Sequence, residues 1–186
     1  MNHEHLAWYA IYIRPQFENV VTSHLSRKGI ETFLPTCRSL GKPGEHRHPE
    51  APLFPNYVFC QIHSTEVRSL LMVPGVLHIV GTASGVKPVD DDEMAAIQRI
   101  AQAGLQCQPC RFLASGPWVR VADGVLRNLK GILADSRNGV GIVIGISLLQ
   151  RAVLVELGEA TRIVPISHTG TVLKTTVISS VLPDRS

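Results

Sequence analysis

The sequence predicts an α+β unit followed by a small all-β unit, and three observations carry that reading. In the first half, short apolar strands alternate with helical patterns. After Pro117 the pattern changes to short Val- and Ile-rich segments with turn chemistry at close intervals. Between them, Gly104 to Pro117 has little periodicity and two prolines, and reads as a linker.

Trp8 to Arg14 reads as a strand with apolar side chains on both faces, Trp8, Ala10 and Tyr12 against Tyr9, Ile11 and Ile13. Such a strand is central and covered twice, or its second face meets a partner. Arg14-Pro15 ends it, because proline cannot continue a paired interior strand. Phe17, Val20, Val21, His24 and Leu25 then recur at helical spacing up to about Lys28, and Gly29 supplies the stop. His24 sits on that stripe as a boundary histidine or a ligand. Glu31 to Pro35 is a short strand, and residues 39–51 form a loop with Lys42, His46, Arg47 and His48. The loop is either a solvated hairpin tip or a nucleic-acid-facing element.

Pro52-Leu53-Phe54-Pro55-Asn56 is turn chemistry feeding a strand of period two. Val58, Cys60 and Ile62 share one face, and Tyr57, Phe59 and Gln61 the other. The second face carries two large aromatics, covered by the fold or offered to a partner protein. Glu66 to Met72 makes two helical turns stopped by Pro74-Gly75, and Val76 to Val80 is a further strand before a turn at Gly81–Gly85. Asp90 or Asp91 caps a helix from about Asp92 to Ala103, and Asp90-x-x-Glu93 mimics a capping box. Met94, Ile97, Ile100 and Ala101 form its buried stripe. The acidic run belongs at the positive end of the helix dipole.

In the second half the strands are Trp118–Ala122, Gly131–Asp135, Gly141–Ile146, Ala152–Glu156 and Thr161–Ile166. So few residues in such strands bury themselves only by closing into a small barrel. The tail from Ser167 adds a strand or stays mobile.

Composition narrows the function classes. The chain of 186 residues is 45% hydrophobic and 18% charged, with a net charge of +3. That balance permits contact with nucleic acid without the clustered basic stripe of a dedicated binder. No apolar run reaches the roughly 18 residues of a membrane span. The polar start, Met1 to His5, lacks signal-peptide regions, so a cytoplasmic protein with free thiols is expected. Cys107 and Cys110 have the spacing of half a zinc site, but no second close pair completes it, and Cys37 and Cys60 stand alone. No nucleophile, base and orienting group assemble, and no phosphate-binding glycine loop is present. Neither metal nor cofactor is expected.

Together the two halves resemble the NusG family of transcription factors. Trp8-Tyr9, Arg14-Pro15 with Glu18, Leu34-Pro35, the Pro52–Phe59 run and Pro74-Gly75-Val76 resemble its N-terminal (NGN) domain. Val119-Arg120-Val121, Asp123-Gly124, Gly131-Ile132-Leu133 and Arg162–Ile166 resemble its KOW domain. The resemblance implies an NGN domain over 6–104, a linker over 105–117, an SH3-like KOW barrel over 118–166, and a tail over 167–186. It implies no enzyme activity. It implies docking on the clamp helices of RNA polymerase through a groove of Tyr12, Pro55, Tyr57 and Phe59. Arg14, His24 and Arg27 correspond to positions facing the non-template DNA strand in RfaH-like members, and salt-sensitive contacts are expected there.

Two departures stand out. Asn56 occupies a position where general members more often have Gly, and it resembles the specialised paralogues. Residues 146–153 replace the commoner Gly-Arg stretch at the edge that recruits ribosomal protein or Rho, so Leu148 and Leu149 are core or an altered partner surface beside Arg151. RfaH-like proteins can refold this domain as helices. Gly139, Gly141 and Gly145 with Val143, Ile144 and Ile146 instead make a poor helix and a good strand. The expected protein is an operon-specific antiterminator; the alternatives are a housekeeping factor of the family and a KOW-type RNA- or ribosome-binding module. The last would have a basic barrel, yet Arg127, Lys130, Arg137, Arg151 and Arg162 are balanced by Asp123, Asp135, Glu156 and Glu159.

Overall fold

The computed structural model describes residues 6–38, 50–113, 115–136, 139–158 and 160–167. Most of the loop expected over 39–51, and the tail beyond Ser167, lie outside the described residues. The first unit runs β1 (Leu6–Ile13), α1 (Glu18–Arg27), β2 (Glu31–Phe33), β3 (Thr36–Arg38), β4 (Glu50–Pro52) and β5 (Tyr57–His63). A 3-10 helix (Val67–Met72), β6 (Val76–Ile79), the two-residue strands β7 (Gly81–Thr82) and β8 (Gly85–Val86), and α2 (Asp91–Ala103) complete it.

Four of these strands form an antiparallel sheet in the order β2-β5-β1-β6. The period-two alternation of β1 and β5 fixes which residues share a face, and the register places Tyr12 opposite Tyr57, Ala10 opposite Phe59 and Trp8 opposite Gln61. Tyr9, Ile11, Ile13, Val58 and Cys60 pack with Val21 and Leu25 of α1 and Leu70 of the 3-10 helix. The opposite face, with Trp8, Ala10 and Phe59, packs with Phe54 and with Met94, Ile97 and Ile100 of α2. The doubly apolar β1 is therefore covered on both sides. On α1 the buried stripe is narrower than the spacing predicts: only Val21 and Leu25 are fully buried, while Val20 is 42% exposed. A ten-residue helix on a small sheet needs one row of contacts, and Val20 is rotated about 100° from it.

The start of α2 follows the predicted cap. The Asp90 carboxylate accepts hydrogen bonds from the N–H groups of Asp92 at 3.0 Å and Glu93 at 3.1 Å. Gly104 ends the helix in the left-handed region, at φ +61°, where a side chain would be strained. Glu93 departs from the capping box. Both its carboxylate oxygens lie 3.1 Å from the backbone N–H of Ser147, far along the chain, and accept its hydrogen bond.

The second unit is a six-stranded antiparallel sheet in the order β14-β10-β11-β12-β13-β9, from β9 (Cys107–Arg111), β10 (Trp118–Val121), β11 (Lys130–Ser136), β12 (Gly139–Ile146), β13 (Arg151–Glu156) and β14 (Ile163–Pro165). The stretch expected as a linker thus contributes a strand, paired from Arg111↔Arg151 to Cys107↔Val155. Pro109 argued against a strand, but β9 is the last strand of its sheet, where a missing N–H costs no ladder bond on the outer side. Val119, Val121, Ile142, Ile144, Val153 and Val155 line one face, within the same buried cluster as the α2 stripe. Ile132, Val143, Ala152 and Leu154 line the other, against Phe112 and Trp118. Gly145 admits the Phe112 ring: a Cβ there would stand 2.6 Å from its Cδ2.

Candidate docking surface and the seam between the units

The aromatic groove predicted from the sequence divides in two. Tyr12 and Tyr57, cross-strand partners, meet edge to face at 5.1 Å between ring centroids, and both stay half-exposed. Pro55 beside them is exposed. Phe59 is not part of this surface. It is fully buried, packed edge to face on Phe54 at 5.7 Å and against Phe33 at 6.4 Å. Its face of the sheet is the one α2 covers, and two residues along β5 separate an open position from a roofed one.

A residue absent from the sequence prediction joins the cluster. His78 of β6 pairs with Tyr12 in register and stacks on its ring at 5.0 Å, with its side chain in solvent. The predicted strand Val76–Val80 contained the signal, since period two turns His78 away from the apolar Leu77. The resulting cluster of two tyrosines and a histidine, with Pro55 two residues before Tyr57, has a composition suited to a protein partner.

Asn56, at the tip of the turn into β5, has φ +67°. That is the left-handed region where asparagine is tolerated best after glycine. Its carbonyl accepts the Ile13 N–H at 2.9 Å, pinning the turn to the end of β1 directly under Tyr12.

Arg14, His24 and Arg27 are not brought to one point. Arg14 is exposed just after β1, while half-buried His24 and exposed Arg27 lie in the last turn of α1. The ten residues of α1 put about 14 Å between its ends. The loop end Ser147–Leu149 is a short 3-10 turn. There Leu149 is buried at 8% exposure and belongs to the core, which decides between its two readings and corrects its place among the candidate recruiting residues. Leu148 is half-buried, in a cavity shared with Ala7, Pro88 and Val89 of the first unit. Only Arg151 of the three is exposed.

That cavity is part of a seam. Besides the Glu93–Ser147 contact, the Arg99 guanidinium of α2 donates to the Arg127 carbonyl at 2.6 Å and stands 3.5 Å from that of Val125. Arg38 and Gln106 form a parallel backbone bridge. Burial raises the pKa of Glu93 above the ordinary carboxylate value, and the Ser147 N–H offsets part of that rise. On the far edge, Arg162 pairs with Asp123 at 2.8 Å and holds its carboxyl below the usual range. Among the described residues no group of acidic, histidine and cysteine side chains has the arrangement of a metal site. No helix among them is long and apolar enough to cross a membrane.

An α+β unit bearing an exposed aromatic patch is thus bonded to an all-β unit. Residues 6–98 match the family model described as transcription termination factor NusG, and the chain belongs to the NusG family. It is 28% identical over 166 residues to the transcription termination/antitermination protein NusG of Yersinia pestis, covering 81% of this chain and 91% of that one. Identity to the protein of the same name from Buchnera aphidicola is 30% over 169 residues, covering 81% and 91%. A Thermotoga maritima NusG structure, described under "Domain interaction in Thermotoga maritima NusG", shares the fold at a TM-score of 0.52. The identity there is 20%, over 82% of this chain and 93% of that one. The family is one of transcription factors, and the fold expected from the sequence is the one found.

Proposed function

We propose that this chain is a cytoplasmic elongation factor that docks on the clamp helices of RNA polymerase, suppresses pausing and termination, and serves a particular set of operons. Residues 6–104 are the docking domain, and 118–166, extended by β9, are the KOW domain. One observation carries the reading: at the end of a sheet whose central strand is covered on both faces, Tyr12, Tyr57 and His78 form an aromatic cluster that reaches solvent. Paired polymerase helices would lay apolar side chains across it, with Pro55 at the rim. Asn56 in a left-handed turn supports the specialised form, because it replaces the commoner glycine at a lower backbone cost than most side chains would carry.

Arg14, His24 and Arg27 serve as spaced contacts along an extended single DNA strand, which a track about 14 Å long suits better than one base would. Recruitment of ribosomal protein or Rho, where it occurs, uses Leu148 and Arg151, with Leu149 as internal support. The docking reading is tested by titrating the full chain against RNA polymerase core, wild type beside Tyr12→Ala/Tyr57→Ala. Loss of binding in the folded double variant is expected; equal binding would overturn the reading. DNA contact is tested by crosslinking to the displaced strand in an elongation complex. Arg14→Ala/Arg27→Ala should crosslink less and lose salt sensitivity, and unchanged crosslinking would refute the assignment.

A further inference from the structure

Away from the docking surface, two thiols meet where the units join. Cys37 lies in β3 and Cys107 in β9, 70 residues apart in sequence, directly beside the Arg38–Gln106 backbone bridge. The Cys37 thiol donates to the Cys107 carbonyl at 3.2 Å, and the Cys107 thiol donates to the Leu105 carbonyl at 3.7 Å. Both are shielded, at 5% and 1% exposure.

The pairing suggested by sequence spacing is closed off. Cys107 and Cys110 share one extended strand, where residues three apart stand about 10 Å from each other and point to opposite faces. A disulfide needs Cα atoms within about 7 Å. Cys107 indeed sits in the cluster that holds the α2 stripe, and Cys110 against the outer cluster with Phe112. Cys60 is enclosed beneath α1, bonded to the Tyr9 carbonyl at 3.7 Å.

We infer that Cys37 and Cys107 are a reversible redox latch, whose disulfide ties β3 to β9 and locks the first unit onto the six-stranded sheet. The oxidant is a peroxide. The Cys37 thiolate attacks one peroxide oxygen, the O–O bond breaks, and the departing hydroxide takes up the proton Cys37 released, leaving water and a sulfenic acid. Cys107 sulfur then attacks the sulfenic sulfur. The S–S bond forms, the S–O bond breaks, and hydroxide leaves with the Cys107 proton as a second water. One peroxide is reduced by two electrons and two thiols are oxidised by two. Two equivalents of a small thiol reverse the step through a mixed disulfide.

The electrostatics agree with this order of attack. Interaction with Cys107 lowers the Cys37 pKa, and interaction with Cys37 together with burial raises that of Cys107. Burial also pushes Cys60 up to about 12 and Cys110 up to about 11, so neither competes as a nucleophile. Because both latch thiols are shielded, oxidation waits on a local opening of the seam.

The test does not depend on polymerase. The full chain is incubated with hydrogen peroxide, quenched with catalase, unfolded in N-ethylmaleimide and digested without reductant. The expected result is one cross-linked peptide pair joining Cys37 to Cys107, lighter by two hydrogens, with Cys60 and Cys110 carrying the maleimide. The oxidised protein should melt at a higher temperature than the reduced one, and Cys37→Ser and Cys107→Ser should each abolish that shift. Recovery of both cysteines as maleimide adducts, a different pairing, or Cys37 as sulfinic acid without a cross-link would overturn the latch. So would a cross-link that leaves the melting midpoint unchanged.

Discussion

Phe59 and Tyr57 stand two positions apart on one strand face, yet their environments set opposite consequences for mutation. Phe59 is fully enclosed, so Phe59→Ala should cost about 3–5 kcal/mol of stability, read as a drop in the urea midpoint. Tyr57 is half-exposed, and truncating it should act on partner binding with little effect on folding. Asp90→Ala removes the cap on Asp92 and Glu93 and should cost about 1 kcal/mol in the same assay. Glu93 makes a pH prediction. Its folded pKa lies above its unfolded one, so the native state binds the proton more tightly there. Its contribution is therefore most favourable below the unfolded value and is lost as pH rises through the raised one. Glu93→Gln should flatten that part of the stability-versus-pH curve. A curve unchanged by the substitution would show that Glu93 does not carry the dependence. Asp123 runs the other way: its lowered pKa adds stability that fades as pH falls through it.

At the scale of elements, the strands and helices with strong periodicity were legible in the sequence. β1, β5 and α2 follow from period two and period 3.6, and the Asp90 cap from one residue type in one place. β9 was not legible. It alternates weakly, contains a proline and gains its pairing only from β13, more than forty residues on. Glu93 misled for a related reason, since the capping-box spacing is local and the Ser147 N–H that claims its carboxylate is distant. Among the candidate site residues, alternation singled out Tyr57, while Tyr12 and Pro55 came from the family resemblance. The burial of Phe59 and Leu149 stayed one of two open readings, because the loop and helix that roof a face leave no mark on the strand beneath them. His78 was readable in principle, one strand over, but only the β1–β6 register makes it a neighbour of Tyr12.

For the whole molecule, the seam decides how the two units act together. Among the described residues it combines the apolar packing of the α2 stripe on one face of the six-stranded sheet with a carboxylate on an amide, a guanidinium on two carbonyls, a backbone bridge and the Cys37–Cys107 contact. None of these covers Tyr12 or Tyr57, so the aromatic patch is available while the units are joined. Arg99→Ala should loosen the seam, read as faster hydrogen exchange at the Ser147 and Arg127 region, without weakening polymerase binding. Coupled loss of binding would mean that the seam shapes the patch.

The measurement that reaches the central claim most directly is equilibrium binding of the full chain to RNA polymerase core, comparing wild type, Tyr12→Ala/Tyr57→Ala and Arg99→Ala. Removing two aromatic anchors should cost about 2 kcal/mol or more, a weakening of about 30-fold, while the seam variant binds as wild type. A double variant that is folded and binds with wild-type affinity would contradict the account.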